Sequence, residues 1–343
     1  MKLPTFLLLA CLSLSFFCSQ LLSKPLTYEG TSGVGKGKHI VFIASDHEYR
    51  GEETCPAIAR ILAKRYGFKC TVLFGLDNEG HIKPGSSNVP GMEALKEADM
   101  MFLFLRFLAP DDATMKHFTD YLDRGGPVLG LRTTTHAFNG LKGKNSKYNY
   151  NSRDKSYDWG FGRQVIGETW RPREGAGHYG KNHKYSTRMF VVPDQKDHPV
   201  TLGVTDMHAM AGAYSAVPIE GSVILGKNQV LDSMKPDGKP IPNKPPSPCI
   251  WVREYESKSG KKGRVFASTQ GGSEDIISEG VRRVIINGVF WCMGLEDSIK
   301  ADMNVDFVGP YKPTTFKFGG GRKKVKPLDL AGWESPIMPP AKR

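Results

Sequence analysis

Three short apolar runs in this chain stop abruptly on charged or polar residues, and that pattern constrains the fold more than any other. Gly125-Gly126 leads into Pro127 to Leu131, which ends on Arg132, three threonines and His136. His39 to Ala44 is followed at once by Ser45-Asp46-His47-Glu48, and Met100 to Leu105 by Arg106. Runs this short and continuous suit strands buried on both faces, as in parallel α/β sheets. Ligands of such sheets bind at the carboxyl ends of the strands. If the three are parallel neighbours, Asp46, His47, Glu48, Arg106, Arg132 and His136 converge on one rim, which would be a pocket.

Helix signals fall between the strand signals. Glu52 to Tyr66 carries Ile58, Ile61 and Leu62 at helical spacing, with Pro56 suited to its first turn and Gly67 to its stop. A strand at Lys69 to Phe74, a turn-rich loop at Asp77 to Pro90 and a short helix at Met92 to Glu97 precede the Met100 strand. Pro110-Asp111-Asp112 opens a helix whose Met115, Phe118 and Leu122 face inward, its acids at the positive end. This alternation predicts an α/β, three-layer sandwich around a mostly parallel sheet. Asn139 to Gly162 is long, polar and tyrosine-rich, the composition of a lid or binding loop. Further strands are expected at Thr187 to Val192, Ser222 to Leu225, Cys249 to Tyr255 and Arg264 to Thr269. A last helix, Glu279 to Leu295, closes on Gly294. The division expected is residues 36–297 as the α/β domain and 298–343 as an extended basic tail.

The 343 residues, 39% of them hydrophobic, are enough for a full core. Lys2 followed by the apolar stretch Leu3 to Leu22 reads as a signal peptide over residues 1–24, which predicts export to the periplasm or beyond. About 20 apolar residues would also span a bilayer, so an uncleaved anchor is the competing reading; after cleavage no stable membrane insertion is expected. Cleavage beyond Cys18 leaves Cys55, Cys70, Cys249 and Cys292, whose spacing matches no zinc ribbon and no disulfide-dense scaffold, though one disulfide would suit an oxidising compartment. The net charge of +12 is spread over loop and tail lysines, and an exported chain meets no chromosomal DNA, so no nucleic-acid partner is expected. Nothing in the sequence fixes an oligomeric state.

Each candidate residue has a structural alternative. Asp46, His47 and Glu48 pair carboxylates with an imidazole, a source of acid/base groups or metal ligands; alternatively Asp46 caps the next helix and His47 is merely exposed. His136 suits a base, an acid or a ligand, or a hydrogen bond to its threonines. Arg132 and Arg106 could hold an oxyanion or sugar hydroxyls, or neutralise buried acids. Thr133 and Thr134 share that strand end. Glu168, His178 and His183 lie in GETWRPREGAGHYGKNH, a glycine-punctuated stretch able to close over a pocket. His198, before Pro199, reads as structural. No HxH, HExxH or GxSxG pattern occurs, so no cofactor is predicted, a divalent metal has no motif behind it, and serine-hydrolase chemistry has no anchor.

Taken in order, SDHEYRGEE, GGPVLGLRTTTHAF, GFGRQVIGETW, Asp197-His198-Pro199, the Trp251 strand leading to GRVFAST and the closing WCMGL resemble the ThuA-like (trehalose utilisation) family from about Lys38 to Glu296. The resemblance implies a flavodoxin-like fold of the class I glutamine amidotransferase kind, with an elbow after a central strand. Gly130, Leu131, Arg132, Thr133 and Thr134 match that elbow, and Arg132 stands where amidotransferases carry cysteine and ThuA-like proteins often carry histidine. Thiol attack is thereby excluded, while the family's second histidine is retained as His136. Gln270-Gly271-Gly272 stands where a Gly-His pair often follows the GRVF strand. The family's association with disaccharides implies isomerisation, hydration or elimination on a sugar, a disaccharide or a 3-keto derivative, by proton transfer beside a carbonyl with His136 or His47 as base and Arg132 or Arg106 at the oxyanion; Asp46, Glu48, Arg106, Thr133, Thr134, Glu168 and His178 would line the substrate site. A non-catalytic carbohydrate-binding protein of the same fold is the alternative.

Overall fold

The computed structural model describes residues 24–338, so the expected signal peptide lies outside the described residues but for Lys24. Twelve strands and three α-helices organise the described residues. In order they are β1 (Leu26–Glu29), β2 (His39–Ser45), α1 (Gly51–Tyr66), β3 (Lys69–Phe74), β4 (Met100–Leu105), α2 (Asp112–Asp123), β5 (Val128–Leu131), β6 (Gly177–His178), β7 (Thr187–Val191), β8 (Met207–Ala209), β9 (Tyr214–Ser215), β10 (Val223–Val230), β11 (Ser247–Glu256), β12 (Lys262–Ser268) and α3 (Glu279–Cys292).

Ten strands form one sheet in the order β1-β3-β2-β4-β5-β12-β11-β10-β7-β8, while β6 and β9 pair separately. The five central strands, β3, β2, β4, β5 and β12, run parallel. Beyond them the expected mostly parallel sheet turns antiparallel, with β11, β10, β7 and β8 on one side and β1 on the other. The reason is local. β11 and β12 are joined by the tight turn Ser257 to Lys261, with Gly260 at φ 76°, and so short a link can only reverse the chain.

Alternate residues of the central strands face opposite layers. Ile40, Phe42 and Phe102 pack with α1 and α3, whereas Val41, Ile43, Met101 and Leu103 pack with Met115, Phe118, Tyr121 and Leu122 of α2. The result is a three-layer α/β/α sandwich of flavodoxin-like kind. Gly67 ends α1 at φ 82°, and Asp111 caps α2 by accepting the Thr114 N–H at 2.8 Å. Pro56 falls in the second turn of α1 instead of the first, and Met92–Glu97 is a 3-10 helix. β10 runs on past Leu225 to Val230, because the polar stretch after Gly226 finds β7 as a partner on its outer side.

Two loops are more firmly seated than their composition suggests. Within Asn139 to Gly162, Tyr148 and Phe161 are buried, and Phe161 packs edge-on against Phe118 of α2. Residues 299–338 are irregular but for a 3-10 helix at Pro327–Leu330, and they wrap the domain. Phe316, Val325 and Leu330 are buried, Thr314 is held by the Glu53 carboxylate, and Arg50 donates to the Lys317 carbonyl at 2.6 Å. Among the described residues Cys55, Cys70, Cys249 and Cys292 are free and buried, as small apolar residues would be.

Candidate functional site

The chain passes from β2 to β3 on one side and then crosses to β4 on the other, so the strand order reverses between β2 and β4. Such a reversal opens a crevice beyond the carboxyl ends. At each of the three strand ends bordering it the backbone turns left-handed on a residue other than glycine: Arg50 after β2 (φ 63°), Phe107 after β4 (φ 52°) and Arg132 after β5 (φ 46°). Residues with side chains hold this conformation at a cost of about 1–3 kcal/mol each, and such positions cluster at functional sites.

Asp46 builds the first of these ends. Its Oδ1 accepts the N–H groups of Glu48 and Tyr49 at 2.7 and 2.8 Å, and its Oδ2 that of Gly51 at 3.0 Å, at the start of α1. It is wholly buried, so the expected substrate contact gives way to a structural role. The loop it shapes presents His47 and Glu48. Glu48 lies 4.0 Å from Arg106 and accepts a hydrogen bond from Asn182 at 2.9 Å. Burial raises its pKa, against the pull of Arg132 and Arg106. Burial and then Arg106 lower that of His47, whose Nδ1 is enclosed without a partner.

Arg132 occupies the elbow and is completely buried. Its Nη1 donates to the carbonyls of Gly212 (2.8 Å) and Thr269 (2.9 Å) and to Gln270 Oε1 (2.8 Å), and its Nη2 to the Tyr49 hydroxyl (2.9 Å). The rings of Tyr49 and Tyr214 lie 4.1 and 3.9 Å from the guanidinium carbon. Burial opposes this charge, but the two tyrosines, with Asp275 beyond them, keep the group protonated. Arg132 is therefore a clamp between four separate segments, and the oxyanion role expected of it does not suit its geometry. Thr134 is structural too, donating to the Leu103 carbonyl at 2.9 Å and so tying the elbow to β4. Thr133 is buried with its hydroxyl unpartnered.

His136, one turn past the elbow, is 2% exposed. Its Nδ1 meets Thr135 Oγ1 at 3.0 Å, which leaves Nε2 without a partner among the described residues. Burial first, then Arg106, Arg132, His178 and His47, holds its pKa well below the ordinary imidazole value, so the ring is neutral. Phe107 and Trp170 stand 5.0 and 5.2 Å from it, centroid to centroid. Trp170, Tyr214 and His178 pack mutually edge-on, and Tyr150 of the long loop reaches Phe107. His178, though exposed, is pushed down to about 4 by desolvation and then by Arg132 and Arg106. Arg106 itself lies between the rings of Phe107 and Phe318, with its Nε unpartnered.

The strand ends thus bring His47, Glu48, Arg106 and His136 to one crevice, and the glycine-punctuated stretch adds His178. Glu168 stands apart in function. It is buried, salt-bridged to Arg171 at 2.9 Å and Arg163 at 3.4 Å, and accepts the Val217 N–H, so it fixes its own loop. His198 is structural, as its context before proline implies: its Nδ1 accepts the Val200 N–H at 3.1 Å. Sequence reasoning passed over Tyr49, Phe107, Tyr150, Trp170, Asn182, Tyr214 and Phe318, and it marked Gln270 only as a departure from the expected Gly-His pair. Tyr49 and Phe107 directly follow residues it singled out; Asn182 joins the site by its hydrogen bond to Glu48, and the remaining aromatic rings join it by packing. Asp77, Glu79 and His81 bring potential metal-ligand atoms within 4.8 Å of one another, although Asp77 Oδ1 already accepts the N–H groups of Glu79 and His81.

The chain is similar to two solved ThuA-like proteins. One, from Bacteroides uniformis, is 18% identical with a TM-score of 0.46, over 80% of this chain and 98% of that one. The other, from Parabacteroides merdae, is 16% identical with a TM-score of 0.42, over 87% of this chain and all of that one. No family model and no curated protein matches the chain.

Proposed function

We propose that this chain is an exported carbohydrate-processing protein that moves a proton beside a sugar carbonyl, with His136 as the base. The neutral imidazole of His136, its Nε2 unpartnered and its ring set against Phe107 and Trp170, carries this reading. Aromatic faces accommodate the C–H faces of a sugar ring, while a few fixed polar groups select its hydroxyls. Glu48, Asn182 and His178 supply those groups here. In the step proposed, the C–H proton next to the carbonyl passes to His136 Nε2 and the bonding electrons move onto the carbonyl oxygen. Arg106, whose Nε has no other partner, donates to that oxygen as charge develops. His47 is the second candidate base. Protonating the adjacent carbon completes an isomerisation, and loss of a neighbouring oxygen substituent completes an elimination.

One observation favours the alternative of a binding protein without catalysis. The elbow position that carries the nucleophile in amidotransferases is filled by Arg132, whose Nη1 and Nη2 both hold structural partners. Incubating the purified protein with 3-keto and unoxidised disaccharides, with products followed by NMR and binding by calorimetry, separates the two. Turnover lost in a His136→Ala, His47→Ala double variant supports proton transfer; turnover retained in it sinks the assignment, and binding without turnover across the panel favours the alternative.

A further inference from the structure

We propose that residues 317–324 and the loop after β3 together form an anion-preferring saccharide subsite beside the His136 crevice, taking a sugar unit that bears a carboxylate. This deepens the carbohydrate reading and rests on it. Between the two segments lies a cavity of about 540 Å³, a size usual for small-molecule sites. His47 lines it, linking it to the crevice, and so does Phe318. Phe318 is 60% exposed, whereas Phe316 two residues earlier is buried, so the segment turns one aromatic ring inward and offers the other to a ligand. The same Phe318 ring covers the Arg106 guanidinium at 4.7 Å, which places the cavity against the residue assigned to the oxyanion.

Charge sets the preference. Lys83 comes from one wall, Lys323 and Lys324 from the other, and none of them pairs with a carboxylate among the described residues. Asp77 and Glu79 also line the cavity. Carboxylates repel a polyphosphate but accept hydrogen bonds from hydroxyls, so the mixed lining suits a polyhydroxylated ring with a single acid group. The wall is fixed in place: Arg50 holds the Lys317 carbonyl, and the Val325 carbonyl accepts the Ile82 N–H at 2.8 Å across the cavity's base.

Calorimetry on the full chain with glucuronic acid, glucose and inorganic phosphate tests this. Glucuronic acid is expected to bind at least about fivefold more tightly than glucose, with added salt narrowing the gap. A Lys323→Glu, Lys324→Glu variant, altered only at exposed positions, should remove that preference, and Phe318→Ala should weaken both sugars. Equal affinity for the two sugars, or an unchanged preference in the charge-reversed variant, overturns the proposal; so does phosphate binding as tightly as glucuronic acid, which marks a plain anion site. Since binding is read without turnover, such a failure leaves His136 as base untouched, and loss of that assignment leaves a measured uronate preference standing.

Discussion

Arg132 donates to Gln270 Oε1 at 2.8 Å, so the elbow after β5 and the turn after β12 hold each other. A long cation at the elbow needs acceptors at the end of β12, and a glutamine there supplies one. Arg132→Met would strand the carbonyls of Gly212 and Thr269 together with the Gln270 amide. Unfolding stability should fall by about 3–5 kcal/mol, seen as a lower denaturant midpoint. Arg132→Lys should recover little, since one ammonium cannot span the same four partners. A change below about 1 kcal/mol would contradict the clamp.

A second close pair lies at the rim. A methyl added to Gly85 would stand 2.4 Å from His47 Cδ2, at a backbone φ of 77°. Gly85→Ala should therefore destabilise the fold by about 1–2 kcal/mol and displace the imidazole. In a double-mutant cycle with His47→Ala the steric part should vanish and the strain remain. Simple additivity of the two changes would show that the ring is not held against this glycine.

Acidity offers a third check. The base proposed at His136 would work when neutral, and burial holds its pKa in the folded protein well below 6.5. The acid limb of kcat/KM should accordingly sit well below pH 6.5, with the profile flat from about pH 8 to 6.5. A limb centred near the ordinary imidazole value would exclude His136 and point to an unperturbed group. Stability follows the same sign. Below pH 6.5 the unfolded chain gains a proton at this position that the folded one refuses, so the contribution is complete above 6.5 and declines as pH drops toward the folded value. Glu48, raised by burial, acts in the opposite direction from 4.5 upward.

Phe316 links the C-terminal segment to the elbow. It is 1% exposed, stacks on Tyr49 at 5.2 Å and on His183 at 4.6 Å, and Tyr49 in turn bonds Arg132. Phe316→Ala should cost about 3–5 kcal/mol in thermal or denaturant unfolding. A near-neutral result would mean that the segment around Phe316 only decorates the domain.

The central sheet was legible because burial on both faces leaves an unmistakable apolar run, and the abrupt polar stops after Ala44, Leu105 and Leu131 mark the edge where the candidate site gathers. Strand direction beyond β12 was not legible, since it depends on the short turn at Gly260 and not on the composition of β11. Roles within the site divided along similar lines. Asp46 and Arg132 stand at strand ends as expected, but only their partners, three backbone N–H groups and four scattered acceptors, show that they support the site instead of meeting a ligand. Trp170, Tyr214 and Phe318 lie far in sequence from the ends of β2, β4 and β5, and no spacing rule connects them.

Because Arg132 joins the ends of β5 and β12 to Tyr49 and Gly212, the floor of this crevice can open only if four stretches of chain let go together. Amide protons there should exchange with solvent on the schedule of complete unfolding, while those of the surrounding rim exchange earlier. Adaptation to different guests would then proceed by rewriting the rim, above a base that tolerates almost no change.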